Sequence, residues 1–241
     1  MRRVVLLLLF LPITARAWTH ASDQRIAKKA AALAPADLRL ILERFEPEYL
    51  NGLAAAEADE GSANHHFFVL SRSGKLRERI QRETFTTVAM IRKGDPMPSV
   101  AEHLGGLAHL VADANNPFHT ANTDERMALV HDDFEQYFER RMARFPTFFY
   151  GLDPHFALDE FLDRTLSRSA RFYPLMTEEY FPGGAQQSSA SFDDRSTAFG
   201  VAAVSYSHAV TDIVNLYFYI WRQAGGDVRA APTLRSGQIV R

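Results

Sequence analysis

The chain has 241 residues, of which 46% are hydrophobic and 23% charged, a balance that suits a globular protein with a sizeable core. Its formal net charge is −2, which excludes bulk electrostatic attraction as the means of recognising nucleic acid or an anionic membrane. The absence of cysteine excludes disulfides and thiolate-bound zinc, so any metal ion must be held by His, Asp and Glu.

The first residues, MRRVVLLLLFLPITARA, are typical of a targeting segment. Arg2 and Arg3 form a basic start, residues 4–13 are apolar, and Ala15-Arg16-Ala17 matches a cleavage site. Because a bilayer span needs about 20 apolar residues, we expect a signal peptide over residues 1–17 rather than a transmembrane helix. Cleavage would make Trp18 the first mature residue and export the protein to the periplasm or the medium. The alternative is a retained N-terminal anchor.

The rest of the chain is predicted to be almost entirely helical, because apolar residues recur at helical spacing between Gly and Pro interruptions. The predicted helices are, in chain order, residues 23–34, 36–45, 73–94, 99–114, 124–145, 156–173 and 198–223. The last of them is the most apolar and is expected to lie at the centre. We therefore predict one all-α domain over residues 18–224, a multi-helix bundle, followed by a disordered polar tail over 225–241.

Two histidines and an aspartate lie close together in the stretch HLVADANNPFH. His109 and Asp113 are four residues apart on one predicted helix, so their side chains share a face. The Asn-Asn-Pro that follows ends this helix, and the turn brings His119 back to its end. His131 and Glu135 repeat the four-residue spacing on the next helix. Imidazole and carboxylate are the ligands that zinc takes where thiolate is missing.

One such pair is weak evidence for a metal site, because a His and a carboxylate at this spacing usually form a surface ion pair. His208 and Asp212 show the same spacing with no further ligand nearby in sequence, so we interpret them as structural. His103 and His155 are interpreted in the same way. The aromatic run from Phe145 to Tyr150 is expected to pack in the core, rather than to contact lipid or stack on bases.

Further candidates lie towards the N-terminus. Asp59, His65 and His66 belong to the stretch AEADEGSANHHFF, which is predicted to be a loop, and His20 lies at the start of the first helix. Alone, each would more often be a solvated residue than a metal ligand.

Taken together, these residues resemble the zinc-dependent phospholipase C and single-strand-specific nuclease superfamily over the whole mature chain. The resemblance is carried by Trp18, by His-x3-Asp-x5-His and by His-x3-Glu, and NNPFHTAN is more similar to the phospholipase branch. It implies three zinc ions between the helices. The implied ligands of one ion are Asp59, His66, His109 and Asp113. Those of a second ion are His119, His131 and Glu135, with a position left for water. The third ion would bind the α-amino group and carbonyl of Trp18, the side chain of His20, and Asp113 as a bridge. Signal removal would then be part of the mechanism, because the α-amino group exists only after cleavage.

Two spacings depart from the family pattern. Only Thr19 separates Trp18 from His20, and Asp59 lies closer to His66 than the family's loop aspartate does to its histidine. Glu57 is therefore an alternative to Asp59, and His65 is an alternative to His66.

The resemblance implies hydrolysis of a phospholipid to diacylglycerol and a phosphorylated head group. Asp59 is the candidate for orienting or deprotonating a metal-bound water, and Asn122 for a hydrogen bond behind the ligands. We expect a monomer that makes peripheral contact with a membrane and forms no stable complex with nucleic acid. The alternatives are a nuclease or nucleotidase with the same cluster, and a helical protein that binds zinc for stability alone.

Overall fold

Helices make up most of the computed structural model, which describes residues 18–59, 61–121, 124–228 and 238–240. The helices are α1 His20–Ala32, α2 Ala36–Arg44, α3 Glu46–Glu57, α4 Ser62–His65, α5 Leu76–Lys93, α6 Met97–Ala114, α7 Pro117–Thr120, α8 Glu125–Arg141, α9 Leu158–Ala170, α10 Tyr173–Tyr180 and α11 Thr197–Gln223, with short 3-10 turns at Met142–Arg144, Pro182–Gly184 and Ser189–Ser191. Two small two-stranded antiparallel sheets pair β1 Phe67–Phe68 with β2 Ser73–Gly74, and β3 Thr147–Phe149 with β4 Gln238–Val240. The predicted all-α multi-helix bundle is confirmed.

Helix α6, which carries His109 and Asp113, is fixed in place by a close crossing with α3. A Cβ atom added to Gly52 of α3 would overlap the backbone carbonyl of Glu102, and one added to Gly105 of α6 would overlap that of Tyr49. The two backbones can therefore approach only because both positions are glycine. This contact joins segments far apart in the chain, so no local pattern in the sequence predicts it.

Two buried tyrosines join α6 to three other helices. The hydroxyl oxygens of Tyr49 and Tyr217 are 2.9 Å apart. The Tyr49 hydroxyl also lies 3.1 Å from the carbonyl oxygen of Ala27 in α1, and that of Tyr217 lies 2.9 Å from the carbonyl oxygen of Leu104 in α6. Helix α11 is thus central, as its apolar sequence predicts, and it supports α6 from the side opposite the solvent.

One predicted helix begins later in the structure than its sequence indicates. The helix expected over residues 73–94 begins at Leu76, because Ser73 and Gly74 pair with Phe68 and Phe67 instead. Gly74 has φ of 104°, and a Cβ there would overlap the carbonyl of His66. This hairpin therefore continues directly from the histidine-containing loop.

Within residues 225–241, the segment expected to be a disordered tail, Gln238–Val240 form a short strand. These residues pair with Thr147–Phe149, since an Ile and a Val in extended conformation can complete the exposed edge of that strand. Within the aromatic run, Phe145 and Phe149 are buried in the core, whereas Tyr150 is partly exposed. In the part of the chain that is described, no helix is long and apolar enough to cross a membrane.

Candidate metal centre

The end of α6 turns so that the stretch HLVADANNPFH folds back on itself. His109 and Asp113 are fully buried one turn apart, with 3.3 Å between His109 Nε2 and Asp113 Oδ2. The side chain of Asn116 accepts a hydrogen bond from the N–H of Phe118 and so starts the one-turn helix α7. As a result His119 Nδ1 lies 3.9 Å from the other carboxylate oxygen, Asp113 Oδ1.

The first group of ligand atoms contains His65, His109 and Asp113, all buried and all within 4.8 Å of one another. His65 Nδ1 lies 2.8 Å from Asp113 Oδ2 and 3.2 Å from His109 Nε2. Two imidazole nitrogens and a carboxylate oxygen thus face one small volume. Such a set suits a divalent cation that accepts nitrogen and oxygen ligands, zinc among them.

The second group contains His119, His131 and Glu135, which are again buried and within 4.8 Å of one another. The Nε2 atoms of the two histidines are 3.1 Å apart, and His131 Nε2 lies 3.0 Å from Glu135 Oε1. His119 Nε2 is 4.0 Å from the same oxygen. The four-residue spacing on α8 brings His131 and Glu135 together, and α7 brings His119 to them.

The outer nitrogens of three of these histidines are held by oxygen acceptors. His109 Nδ1 lies 2.6 Å from Asp23 Oδ2, His119 Nδ1 lies 2.8 Å from the carbonyl of His65, and His65 Nε2 lies 3.2 Å from the carbonyl of Asp59. A hydrogen bond donated from the outer nitrogen leaves the lone pair on the inner one, which is how metal-bound histidines are usually oriented.

Asp23 was not predicted as part of the site. It lies on the apolar face of α1, whose other buried residues include Ile26, Ala27 and Ala30. A carboxylate at helical spacing with core residues is rarely left buried without a partner. The sequence could have indicated a buried, partnered carboxylate here, because Asp23 occupies a core-facing position one turn before Ile26.

The burial of these groups is costly without a cation. Burial raises the pKa of Asp113 and raises those of Asp23 and Glu135 well above the usual carboxyl range, so it opposes their ionisation. Burial, together with the charge of His66, lowers the pKa of His131 to about 3. Burial also lowers the pKa of His109, and that of His119 even further. The imidazoles of His109, His119 and His131 are therefore neutral, as ligands must be. For His65, burial is outweighed by the hydrogen bond and the charge of Asp113, which raise its pKa.

Three of the buried carboxylate oxygens without a hydrogen-bond partner among the described residues lie in or beside the two groups: Asp23 Oδ1, Asp113 Oδ1 and Glu135 Oε1. Buried polar atoms are nearly always paired in folded proteins. Glu135 Oε1 belongs to the second group of ligand atoms, and Asp113 Oδ1 is the oxygen that faces His119. A bound cation would satisfy both, so the donor set of the two groups fits a metal.

No family model matches the chain, and no curated protein sequence matches it. Solved structures do share its fold. The crystal structure of Clostridium perfringens alpha-toxin isolated from avian strain SWCP matches with a TM-score of 0.65 and 13% identity, over 87% of this chain and 65% of the toxin. The alpha toxin from Clostridium absonum matches with a TM-score of 0.63 and 15% identity, over 88% and 65%. The chain thus spans slightly less than two thirds of the length of either toxin, and at these identities the likeness shows the fold.

His65, rather than His66, belongs to the first group. Helix α4 ends at His65, and His66 follows with φ −121° and ψ 147°, so the two side chains point in different directions. His66 is buried and stacks on His119, with ring centroids 4.3 Å apart. The structure thus brings His65, the alternative, into the first group and leaves His66 beside His119, and the choice between them as metal ligands stays a prediction.

Asp59 does not bring its carboxylate into either group. That carboxylate lies 2.8 Å from Arg79 Nη1 and is 39% exposed, and only the backbone carbonyl of Asp59 reaches the site, through His65. Glu57, the alternative, lies 2.9 Å from His20 Nδ1. The structure thus differs from the expectation of Asp59 as ligand and catalytic residue, since the end of α3 turns its side chain towards α5.

The residues expected to bind a third ion are not gathered into a further group among the described residues. The half-exposed His20 side chain contacts Glu57 and Gln24. The Trp18 indole is buried against Phe138 at 4.2 Å and donates to the carbonyl of Ala112 at 3.0 Å. Asn122 lies outside the described residues, as does the expected signal peptide, residues 1–17.

The histidines interpreted as structural lie away from both groups. His208 stacks on Tyr150 with centroids 4.0 Å apart, and Asp212 accepts hydrogen bonds from Arg168, Asn115 and Thr165 instead of pairing with His208. This network attaches the end of α6 to α9 and α11. His103 lies 3.8 Å from Glu83, and His155 caps a turn through its backbone N–H.

Proposed function

We propose that the chain is a zinc-dependent phosphodiesterase of the phospholipase C type, which cleaves a phospholipid into diacylglycerol and a phosphorylated head group. The observation that carries the proposal is the pair of buried ligand groups, with the carboxylate of Asp113 facing His65 through one oxygen and His119 through the other. The shared fold with the clostridial alpha-toxins supports it. So does the resemblance to the phospholipase branch.

The residues that would hold the metal ions are His65, His109 and Asp113 for one, and His119, His131 and Glu135 for the other. Each group supplies three protein ligands, and catalytic zinc sites typically have three protein ligands and one open position. Zinc bound there would lower the pKa of a bound water to about 7 and polarise a phosphoryl oxygen.

The chain's own residues prepare this site for an anionic phosphodiester. Two divalent cations would outweigh the charges of Asp23, Asp113 and Glu135, so the centre would be positive within an acidic protein. Phe118 stacks on His131, with ring centroids 5.7 Å apart, and shields that side of the centre from water. Asp23 holds His109 in the orientation that directs Nε2 inwards.

We propose that the protein is exported, that residues 1–17 are removed, and that it acts as a monomer at the membrane surface. The new α-amino group of Trp18, with His20, would then be available to a third ion. Mass spectrometry of the protein secreted from cells tests the cleavage site, and elemental analysis of the same sample tests the ion count. A mature chain that starts elsewhere would remove Trp18 as a ligand.

The main test is a lipid hydrolysis assay on the purified protein, with zinc content measured after dialysis. We expect bound zinc and release of diacylglycerol from phosphatidylcholine or phosphatidylethanolamine. Glu135→Gln should abolish turnover while the protein remains folded, whereas Glu43→Gln, on the exposed face of α2, should have no effect. Protein without metal at neutral pH, or full turnover in Glu135→Gln, would overturn the proposal.

The same samples distinguish the alternatives. Hydrolysis of single-stranded DNA or nucleotides without lipid hydrolysis would place the chain in the nuclease branch. Bound zinc with no turnover on any of these phosphodiesters would indicate that the metal only stabilises the fold.

A further inference from the structure

An apolar groove lies beside the candidate metal centre, between the β1–β2 hairpin, the end of α7 and the junction of α9 with α10. Its volume is about 620 Å³, and small-molecule sites commonly range over about 300–1,000 Å³. The walls are formed by Val69, Leu70, Ala121, Ala170, Tyr173 and Pro174. None of these residues is among the candidate metal ligands.

The groove and the metal centre share supporting contacts. The N–H of Val69 donates to the carbonyl of Thr120, the residue after the ligand His119, at 3.1 Å. The ring of Tyr173 meets Phe118 edge-on at 5.6 Å, and Phe118 in turn stacks on His131. Helix α7 therefore belongs to both, since Thr120 lines the groove and His119 belongs to the second group of ligand atoms.

Leu70 at the rim is 81% exposed, in the turn of the β1–β2 hairpin. Phe68 pairs with Ser73, and the hydroxyl oxygens of Ser71 and Ser73 are 2.7 Å apart. On the opposite rim, Leu175 follows Pro174 and is also exposed. Large apolar side chains held in water at the edge of an apolar groove are typical of a surface that a ligand covers.

We propose that this groove binds an acyl chain of a lipid phosphodiester whose phosphate lies at the metal centre; this inference rests on the proposed function. The walls favour a hydrocarbon chain over a base, because Tyr173, the one aromatic side chain lining the groove among the described residues, is only 9% exposed. Its ring therefore offers no free face for stacking.

The experiment compares phosphatidylcholines of increasing acyl length, kept monomeric, with the chromogenic ester p-nitrophenyl phosphorylcholine, which has no acyl chain. For the wild-type protein, kcat/KM should rise by up to about fourfold for each methylene that becomes buried. Leu70→Asp should weaken this dependence on chain length, and so should Ala170→Phe, which narrows the groove. Leu40→Asp is the matched control, since Leu40 is 59% exposed on α2, away from the groove.

Each result has a distinct meaning. A chain-length dependence that is lost in both groove variants and kept in Leu40→Asp supports the groove. Equal loss on lipid and on p-nitrophenyl phosphorylcholine would show general damage to the protein and overturn this inference alone, as would hydrolysis that does not depend on chain length. A wild-type dimer in sedimentation that Leu70→Asp dissociates would mean that a second copy covers the groove. No hydrolysis of any substrate by the wild-type protein would overturn the proposed function itself.

Discussion

Replacing Asp23 by asparagine should weaken metal binding while it stabilises the metal-free protein. The carboxylate is fully buried, and its Oδ2 lies 2.6 Å from His109 Nδ1. The amide of Asp23→Asn has nearly the same shape but no charge, so His109 becomes a weaker ligand. Loss of such a partner typically costs about 10–100-fold in metal affinity, or about 1.4–2.7 kcal/mol.

The same substitution should increase the free energy of unfolding of the metal-free protein. Burial, with the charge of Glu57, raises the pKa of Asp23 in the folded state, so the unfolded chain releases this proton at a lower pH. Asp23 therefore destabilises the metal-free fold as pH rises above the usual carboxyl range, and Asp23→Asn removes that cost at neutral pH.

Two measurements on the same protein test this prediction. Isothermal titration with zinc gives the affinity, and urea denaturation in the presence of a chelator gives the free energy of unfolding. Asp37→Asn, on the exposed first turn of α2, should change neither by much. Unchanged zinc affinity together with a less stable metal-free protein would refute the reasoning, because Asp23 would then be an ordinary structural hydrogen-bond acceptor.

Three further predictions concern the fold and the margin of the site. Gly105→Ala should lower the free energy of unfolding by about 3 kcal/mol, because the new methyl group overlaps the Tyr49 carbonyl. Gly200→Ala in α11 has free space around the new methyl group and should raise the free energy of unfolding by up to about 1 kcal/mol. Urea denaturation measures both. Burial, with the charge of Arg168, lowers the pKa of His208 to about 4. Because the unfolded chain then binds the proton more readily, neutral His208 should contribute about 1–2 kcal/mol, after solvent screening, to the free energy of unfolding above pH ~6.5. This contribution should be lost as pH falls towards 4. Thermal denaturation with chelator should show a flatter acid limb for His208→Gln than for the wild-type protein. Asp59→Asn should keep its full zinc content in elemental analysis and lose at most about 1 kcal/mol of stability, and loss of metal would restore Asp59 as a ligand.

The parts of the site that could be predicted from the sequence are those determined by local geometry. A helix places residues four apart on one face, so His109 with Asp113 and His131 with Glu135 meet whatever the rest of the fold does. The Asn-Asn-Pro turn is also local, and it returns His119 to the end of α6. The helical class follows from the same periodicity.

The parts that could not be predicted depend on contacts between distant segments. Asp23 and His109 are brought together by the packing of α1 against α6, which no local spacing expresses. The choice between His65 and His66 depends on the residue at which α4 ends, and helix ends are set by capping and tertiary contacts as well as by propensity. Similarly, the pairing of Gln238–Val240 with Thr147–Phe149 joins segments far apart in the chain.

In the loop that joins α3 to α5, two residues singled out from the sequence contact the site through backbone atoms. Asp59 and His65 both act on histidine ligands through their backbone carbonyls, Asp59 towards His65 and His65 towards His119. A carbonyl is present whatever the side chain is, so the orientation of these imidazoles depends on the path of the loop more than on its residue types. Substitutions of the Asp59 side chain should thus be tolerated, whereas changes that alter the loop path, such as Gly74→Ala next to the His66 carbonyl, should disturb both ligand groups at once. Zinc titration of Gly74→Ala and Asp59→Asn side by side would separate the two effects, and equal affinities would contradict this view of the loop.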